Sequence, residues 1–169
     1  MADIKVATSE PGLYEQDFFE WTQQQTEALR SVAAGGNAYL DYENLIEEIE
    51  SLGSALKHEL ASRIATIIEH LLKLEFSPAA QARSGWRSTI RRERGLIEDL
   101  LDQNPSLRAR VPGDIERVWR RVTRQVARDL KDRAENTGSV AIMTLDANSR
   151  YREPEILGDE WFPEPPTAA

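Results

Sequence analysis

The chain has 169 residues, 40% hydrophobic and 30% charged, with a formal net charge of −8 and no cysteine. A chain of that length is about one ordinary domain and buries roughly two thirds of its surface on folding; the lack of Cys excludes disulfides, thiolate metal sites and cysteine nucleophiles. Met1 to Thr8 shows no apolar core of signal-peptide length, and no stretch approaches the roughly 20 apolar residues of a membrane span, so the expectation is a cytoplasmic protein that is not embedded in a membrane.

The charge is unevenly placed. Residues 1–80 carry 5 basic and 14 acidic side chains, residues 81–133 carry 14 and 8, and the remainder 2 and 7. A basic middle segment signals either a nucleic-acid surface or basic and acidic helices facing one another in one fold.

Residues 1–13 contain Pro11 and Gly12 without periodicity and read as a loose N-terminal arm. From about Glu15 to Val32, the positions Phe18, Trp21, Ala28, Leu29 and Val32 recur at helical spacing, and the Gly35-Gly36 pair then breaks the helix. Asp41 is an N-cap candidate for a second helix whose Leu45, Ile46, Ile49 and Leu52 fall within an arc of about 120°. Gly53 and Ser54 mark a break or bend. A longer helix from Ala55 to Glu75 follows, its apolar residues spread over about 160°, which identifies it as the central helix.

Ser77 to Ser84 reads as a loop. Ser84 or Gly85 caps the next helix, which runs to about Gln103 with Trp86, Ile90, Ile97, Leu100 and Leu101 as its stripe; Asn104-Pro105 stops it. The last long helix opens at Pro112 and runs to about Asn136, with Gly138 as its stop. Ile115, Val118, Trp119, Val122, Val126 and Leu130 form one face of it, and Arg117, Arg121, Arg124, Arg128 and Lys131 the other. The fold expected is therefore all-α: a compact bundle of about five helices with a partly irregular C-terminal tail. The helical domain is expected over residues 14–138, with residues 139–169 packing on it as a C-terminal tail through Ile142 to Leu145 and Ile156 to Phe162.

Few residues suggest chemistry. Glu43, Glu47, Glu48 and Glu50 could offer carboxylates to a divalent cation, but neither His58 nor His70 completes the Glu-x-x-His pair of two-metal bundles. In the Glu-Glu-x-x-Glu run of all-helical pyrophosphohydrolases, Ser51 stands where the third Glu belongs. No metal or cofactor is therefore expected. There is no nucleophile elbow and no phosphate loop. Glu93 falls inside an apolar stripe, where a carboxylate needs a partner such as an Arg or His70.

Several segments carry a resemblance to a known family. They are Tyr14-Glu-Gln-Asp-Phe-Phe-Glu-Trp-Thr22, Leu40-Asp-Tyr-Glu-Asn-Leu-Ile-Glu-Glu-Ile-Glu-Ser-Leu-Gly53, His70-Leu-Leu-Lys-Leu74, Ser84-Gly-Trp-Arg-Ser-Thr-Ile-Arg91 and Ile156-Leu-Gly-Asp-Glu-Trp-Phe-Pro163. In that order they resemble the bacterial domain of unknown function 29 family. The resemblance implies an all-helical bacterial protein of about this length and brings no established activity with it.

Three functional readings follow. The first is a non-catalytic module that binds another protein, or itself as a homodimer, with Trp161 and Phe162 as a tail contact. The second is a nucleic-acid binder acting through Arg117, Arg121, Arg124, Arg128 and Lys131. The third is an enzyme, for which His70, Glu93 and Arg94 are the one polar cluster to inspect.

Overall fold

Asp17 divides the first expected helix in two. Its backbone leaves helical geometry (φ −156°, ψ 87°), and its carboxylate accepts the Glu20 N–H, so it ends α1 (Leu13–Gln16) and caps α2 (Phe18–Ala33). The periodicity continues across the junction, which is why apolar spacing alone merges the two. The computed structural model describes residues 12–35, 41–143, 145 and 150–164; residues 1–11 of the expected arm lie outside them, as do Gly36 and Asn37 of the first break. Among the described residues there are seven helices and no strand.

Asp41 does cap the next helix, its Oδ1 accepting the Asn44 N–H at 3.2 Å. That helix, α3 (Tyr42–Phe76), is a single element of 35 residues, so of the two alternatives at Gly53, a break or a bend, the break is absent. A β-carbon at position 53 would lie 2.7 Å from Thr22 Oγ1 and 3.6 Å from the Phe19 ring. The glycine lets α2 approach; it does not interrupt α3.

Two compact units are distinguished, Met1–Glu59 with Leu100–Arg108, and Leu60–Asp99 with Ala109–Ala169. In the first, Phe19, Thr22, Thr26, Leu100, Leu101 and Leu107 are buried. Two side chains tie its segments together. Asp17 accepts both the Ser106 N–H (2.6 Å) and the Ser106 hydroxyl (2.9 Å), and the Asn104 side-chain carbonyl accepts the Phe19 N–H at 3.0 Å.

In the second unit, Leu60, Ile64, Ile67, Ile68, Leu71, Leu72 and Leu74 of α3 are fully buried. Residues 71–74 are buried all round the helix, as a central element requires. The helix α4 (Arg83–Gln103) contributes Trp86, Ile90 and Ile97, and α5 (Val111–Asp132) contributes all six expected apolar positions, from Ile115 to Leu130.

The end of α5 departs from expectation. It stops at Asp132, short of Asn136, and Gly138 lies within α6 (Asn136–Met143). The stop is made at Ala134 in the left-handed region (φ 62°), where the Glu135 N–H reaches the Leu130 carbonyl at 2.8 Å and the Ala134 N–H reaches that of Lys131 at 2.9 Å. This is a Schellman closure built on alanine, the residue a search for glycine passes over. A final short helix, α7 (Glu153–Leu157), buries Ile156.

Candidate functional site

Helical spacing puts Glu93 on the inner face of α4, and the structure buries it to 7% exposure. Arg63 of α3 donates to its Oε2 at 3.0 Å and Arg92 to its Oε1 at 2.8 Å. Burial pushes the carboxyl upward, but the hydrogen bonds from Arg92 and Arg63 outweigh it and hold Glu93 below the usual carboxylate range. His70 has a different partner, the Thr66 carbonyl, 2.8 Å from Nδ1. A carbonyl only accepts, so Nδ1 carries the proton.

Arg94, the third member of that trio, serves the C-terminal segment. Its guanidinium donates to the backbone carbonyls of Ile156 (2.8 Å), Glu155 (2.8 Å), Trp161 (3.0 Å) and Asp159 (3.1 Å). Burial lowers its pKa, with the Asp159 charge opposing that shift; a guanidinium stays cationic nonetheless. His70, Glu93 and Arg94 therefore face three separate sets of partners and form no shared network.

Glu75, near the end of α3, makes a second attachment for the same segment. It accepts from the Tyr151 hydroxyl at 2.5 Å and pairs with Arg150 at 2.7 Å. Burial, then the Glu75 charge, drives the Tyr151 phenol far above its ordinary pKa. The Tyr151 ring packs edge-on against Trp119 and Trp161, at 5.8 Å and 5.6 Å between centroids. Beside the tail, the Phe162 ring lies 5.0 Å from the guanidinium carbon of Arg87, 5.1 Å from that of Arg94 and 5.2 Å from that of Arg91.

The five residues of the expected basic face of α5, Arg117, Arg121, Arg124, Arg128 and Lys131, are all exposed. Arg117 pairs with Asp114 at 2.6 Å, and Arg124 donates to the Arg120 carbonyl at 3.0 Å. Among the described residues, no group of three or more His, Asp or Glu is placed to hold a metal ion, and no helix is long and apolar enough to cross a membrane.

Two features escape sequence patterning. Lys73 is buried among the leucines of α3, its amine 2.6 Å from Glu69 and 3.5 Å from Asp129; the i,i+4 spacing from Glu69 was its one signal. The other is the face of α2 and α3. Gly53 lies against Thr22 and Phe19, and Arg30 pairs with Glu50, so the two helices run antiparallel. At about 100° per residue, Trp21 and Val32 stand opposite Arg30 on α2, and Leu45 and Leu52 stand well away from Glu50 on α3. Both sets share the flank away from the ion pair. There Val32 and Leu45 are each 42% exposed, Leu52 48% and Tyr14 54%. Tyr14, Phe18 and Trp21 form one aromatic cluster, with ring centroids 5.0–5.5 Å apart. Leu45 and Leu52, two of the four residues in the apolar arc of about 120° on this helix, are thus exposed, because the stripe is wider than the surface α2 covers.

Among solved structures, the chain is similar to an α-helical protein of unknown function from Rhodospirillum rubrum, with 27% identity over 88% of this chain and 90% of that one and a TM-score of 0.70. Comparison with curated proteins gives no match. The family model for domain of unknown function DUF29 matches residues 13–162, nearly the whole helical chain from α1 to Phe162, and the protein belongs to that family.

Proposed function

We propose that the protein is a non-catalytic interaction module whose docking surface is the apolar flank of α2 and α3. The observation that carries this reading is the exposure of Tyr14, Val32, Leu45 and Leu52 on one side of a helix pair. Single exposed apolar side chains are ordinary, whereas several on one flank mark an interaction surface. Residues 12–59 hold ten acidic side chains and two basic ones. A second copy meeting this flank face to face brings like charge onto like charge, while a cationic partner is drawn in and oriented. The partner that fits is a basic amphipathic helix, apolar along one side and Lys- or Arg-rich along its edges.

The test is titration with a Leu/Lys amphipathic helix peptide, read by anisotropy, beside a scrambled peptide of the same composition. Binding of the amphipathic peptide is expected to be at least tenfold tighter than that of the scramble, and Leu45→Glu with Leu52→Glu removes the difference while circular dichroism stays unchanged. Equal binding of both peptides reduces the effect to bulk charge and sinks the reading. A dimer in sedimentation that Leu45→Glu dissolves gives the flank to a second copy, and the cationic partner is then wrong.

The exposed cations of α5 support a second reading, nucleic-acid binding. Its mark is an affinity falling steeply with salt, with a slope reduced by Arg121→Glu and Arg128→Glu. No binding at low salt ends it.

A further inference from the structure

Arg83, Arg87, Arg91 and Arg94 follow at intervals of four, four and three residues, which sets all four on one face of α4. Arg94 spends its donors on the tail carbonyls. Among the described residues, no ion pair with a carboxylate is found for the other three, whereas Arg63, Arg92 and Arg117 each have one. The Nη2 of Arg83 and the Nε of Arg87 are buried without any hydrogen-bond acceptor.

That arrangement is electrostatically adverse three times over. The guanidiniums repel one another, and Arg87 adds to the burial that lowers the Arg83 pKa. They begin at the first turn of α4, which holds no acidic residue and where the helix dipole is itself positive. Two buried N–H groups also lack an acceptor, a deficit of the kind an ion relieves. Phe162 stabilises Arg87 and Arg91 through its ring face, but a ring supplies neither negative charge nor the missing acceptors.

We propose that Arg83, Arg87 and Arg91 form a binding site for a small phosphoryl anion. Arg91 is exposed and Arg83 and Arg87 are half-buried, so the cluster opens to solvent on the Arg91 side. Turning the ends of the two longer-buried side chains toward an anion there gives their unmet N–H groups an acceptor. A phosphoryl dianion offers three oxygens to planar, forked donors, and its charge offsets more of the cluster than one carboxylate does. The site lies in a different unit from the apolar flank of α2 and α3, and neither reading needs the other.

The experiment is thermal unfolding of the full chain in sodium phosphate, with sodium chloride and sodium citrate at matched ionic strength, and a calorimetric titration with phosphate. Phosphate at about ten times its Kd raises Tm by about 3–6 °C beyond chloride. Arg83→Gln with Arg87→Gln removes that increment, and Arg87→Lys, which keeps the charge and loses the fork, weakens phosphate at least fivefold. Arg121→Gln with Arg124→Gln leaves it intact. The proposal is overturned if phosphate does no more than chloride, if the Arg83/Arg87 variant keeps the increment, or if the α5 variant loses it. A citrate effect equal to that of phosphate overturns the phosphoryl assignment. If the double variant does not fold, Arg87→Lys decides: unchanged phosphate affinity in it ends the proposal.

Discussion

Gly53 is held against Thr22 so closely that a β-carbon on the glycine would sit 2.7 Å from the threonine hydroxyl. That hydroxyl is itself fixed, donating to the Phe19 carbonyl at 2.7 Å. Alanine favours a helix interior by about 1 kcal/mol over glycine, yet here the overlap wins. Gly53→Ala is expected to lower stability by about 1–2 kcal/mol in urea unfolding. In a Thr22→Ser background, with the methyl group gone and the hydroxyl free to turn, the loss shrinks. An equal loss in both backgrounds would show that Thr22 is not the obstacle.

Ala134 closes α5 from the left-handed region (φ 62°). An L side chain there costs roughly 1–2 kcal/mol, partly offset by the greater freedom of glycine in the unfolded chain. Ala134→Gly is therefore expected to stabilise the protein by about 0.5–1 kcal/mol, seen as a rise in Tm. A fall would place the end of the helix elsewhere.

Glu93→Gln keeps the shape and removes the charge that Arg63 and Arg92 meet. A loss of about 1–2 kcal/mol is expected at neutral pH. The Glu93 pKa is lowered on folding, so its contribution is fully present above the unfolded value of about 4.3 and is lost as pH falls through the lower folded value. The gap between the parent protein and Glu93→Gln should thus be flat down to about pH 5 and close in stronger acid. Glu93→Leu leaves both arginines without their carboxylate; if neither variant changes Tm, the buried pair contributes nothing.

Arg94→Lys retains the charge but not the fork that reaches four carbonyls. The expected cost is about 2–4 kcal/mol. Amide hydrogen exchange over residues 153–163 should speed up more than exchange in α5. Uniform acceleration of both would mean that Arg94 supports the whole unit and has no special hold on the tail.

The last long helix was fully legible as a face, because Ile115 to Leu130 repeat without interruption and each of these residues is buried. Boundaries were less so. Asp17 ends a helix by a side-chain bond to Glu20 that leaves the apolar spacing untouched, and Gly53 answers to a neighbouring helix, not to its own. At the site, Glu93 announced itself as a carboxylate among apolar positions. Its partner Arg63 is 30 residues away, and the meeting of Phe162 with Arg87 and Arg91 spans more than 70, distances at which no local period carries information.

Arg94 grips main-chain oxygens, which every amino acid possesses, so the hydrogen-bonded part of this anchorage does not depend on the side chains at positions 155, 159 and 161, while the Asp159 charge adds to it. What it does depend on is the path of the strand of carbonyls it reads. Gly158 holds that path, since any side chain there would collide with the Pro154 carbonyl. Relatives that dock their last segment in this manner should therefore keep an arginine and a glycine at these two positions.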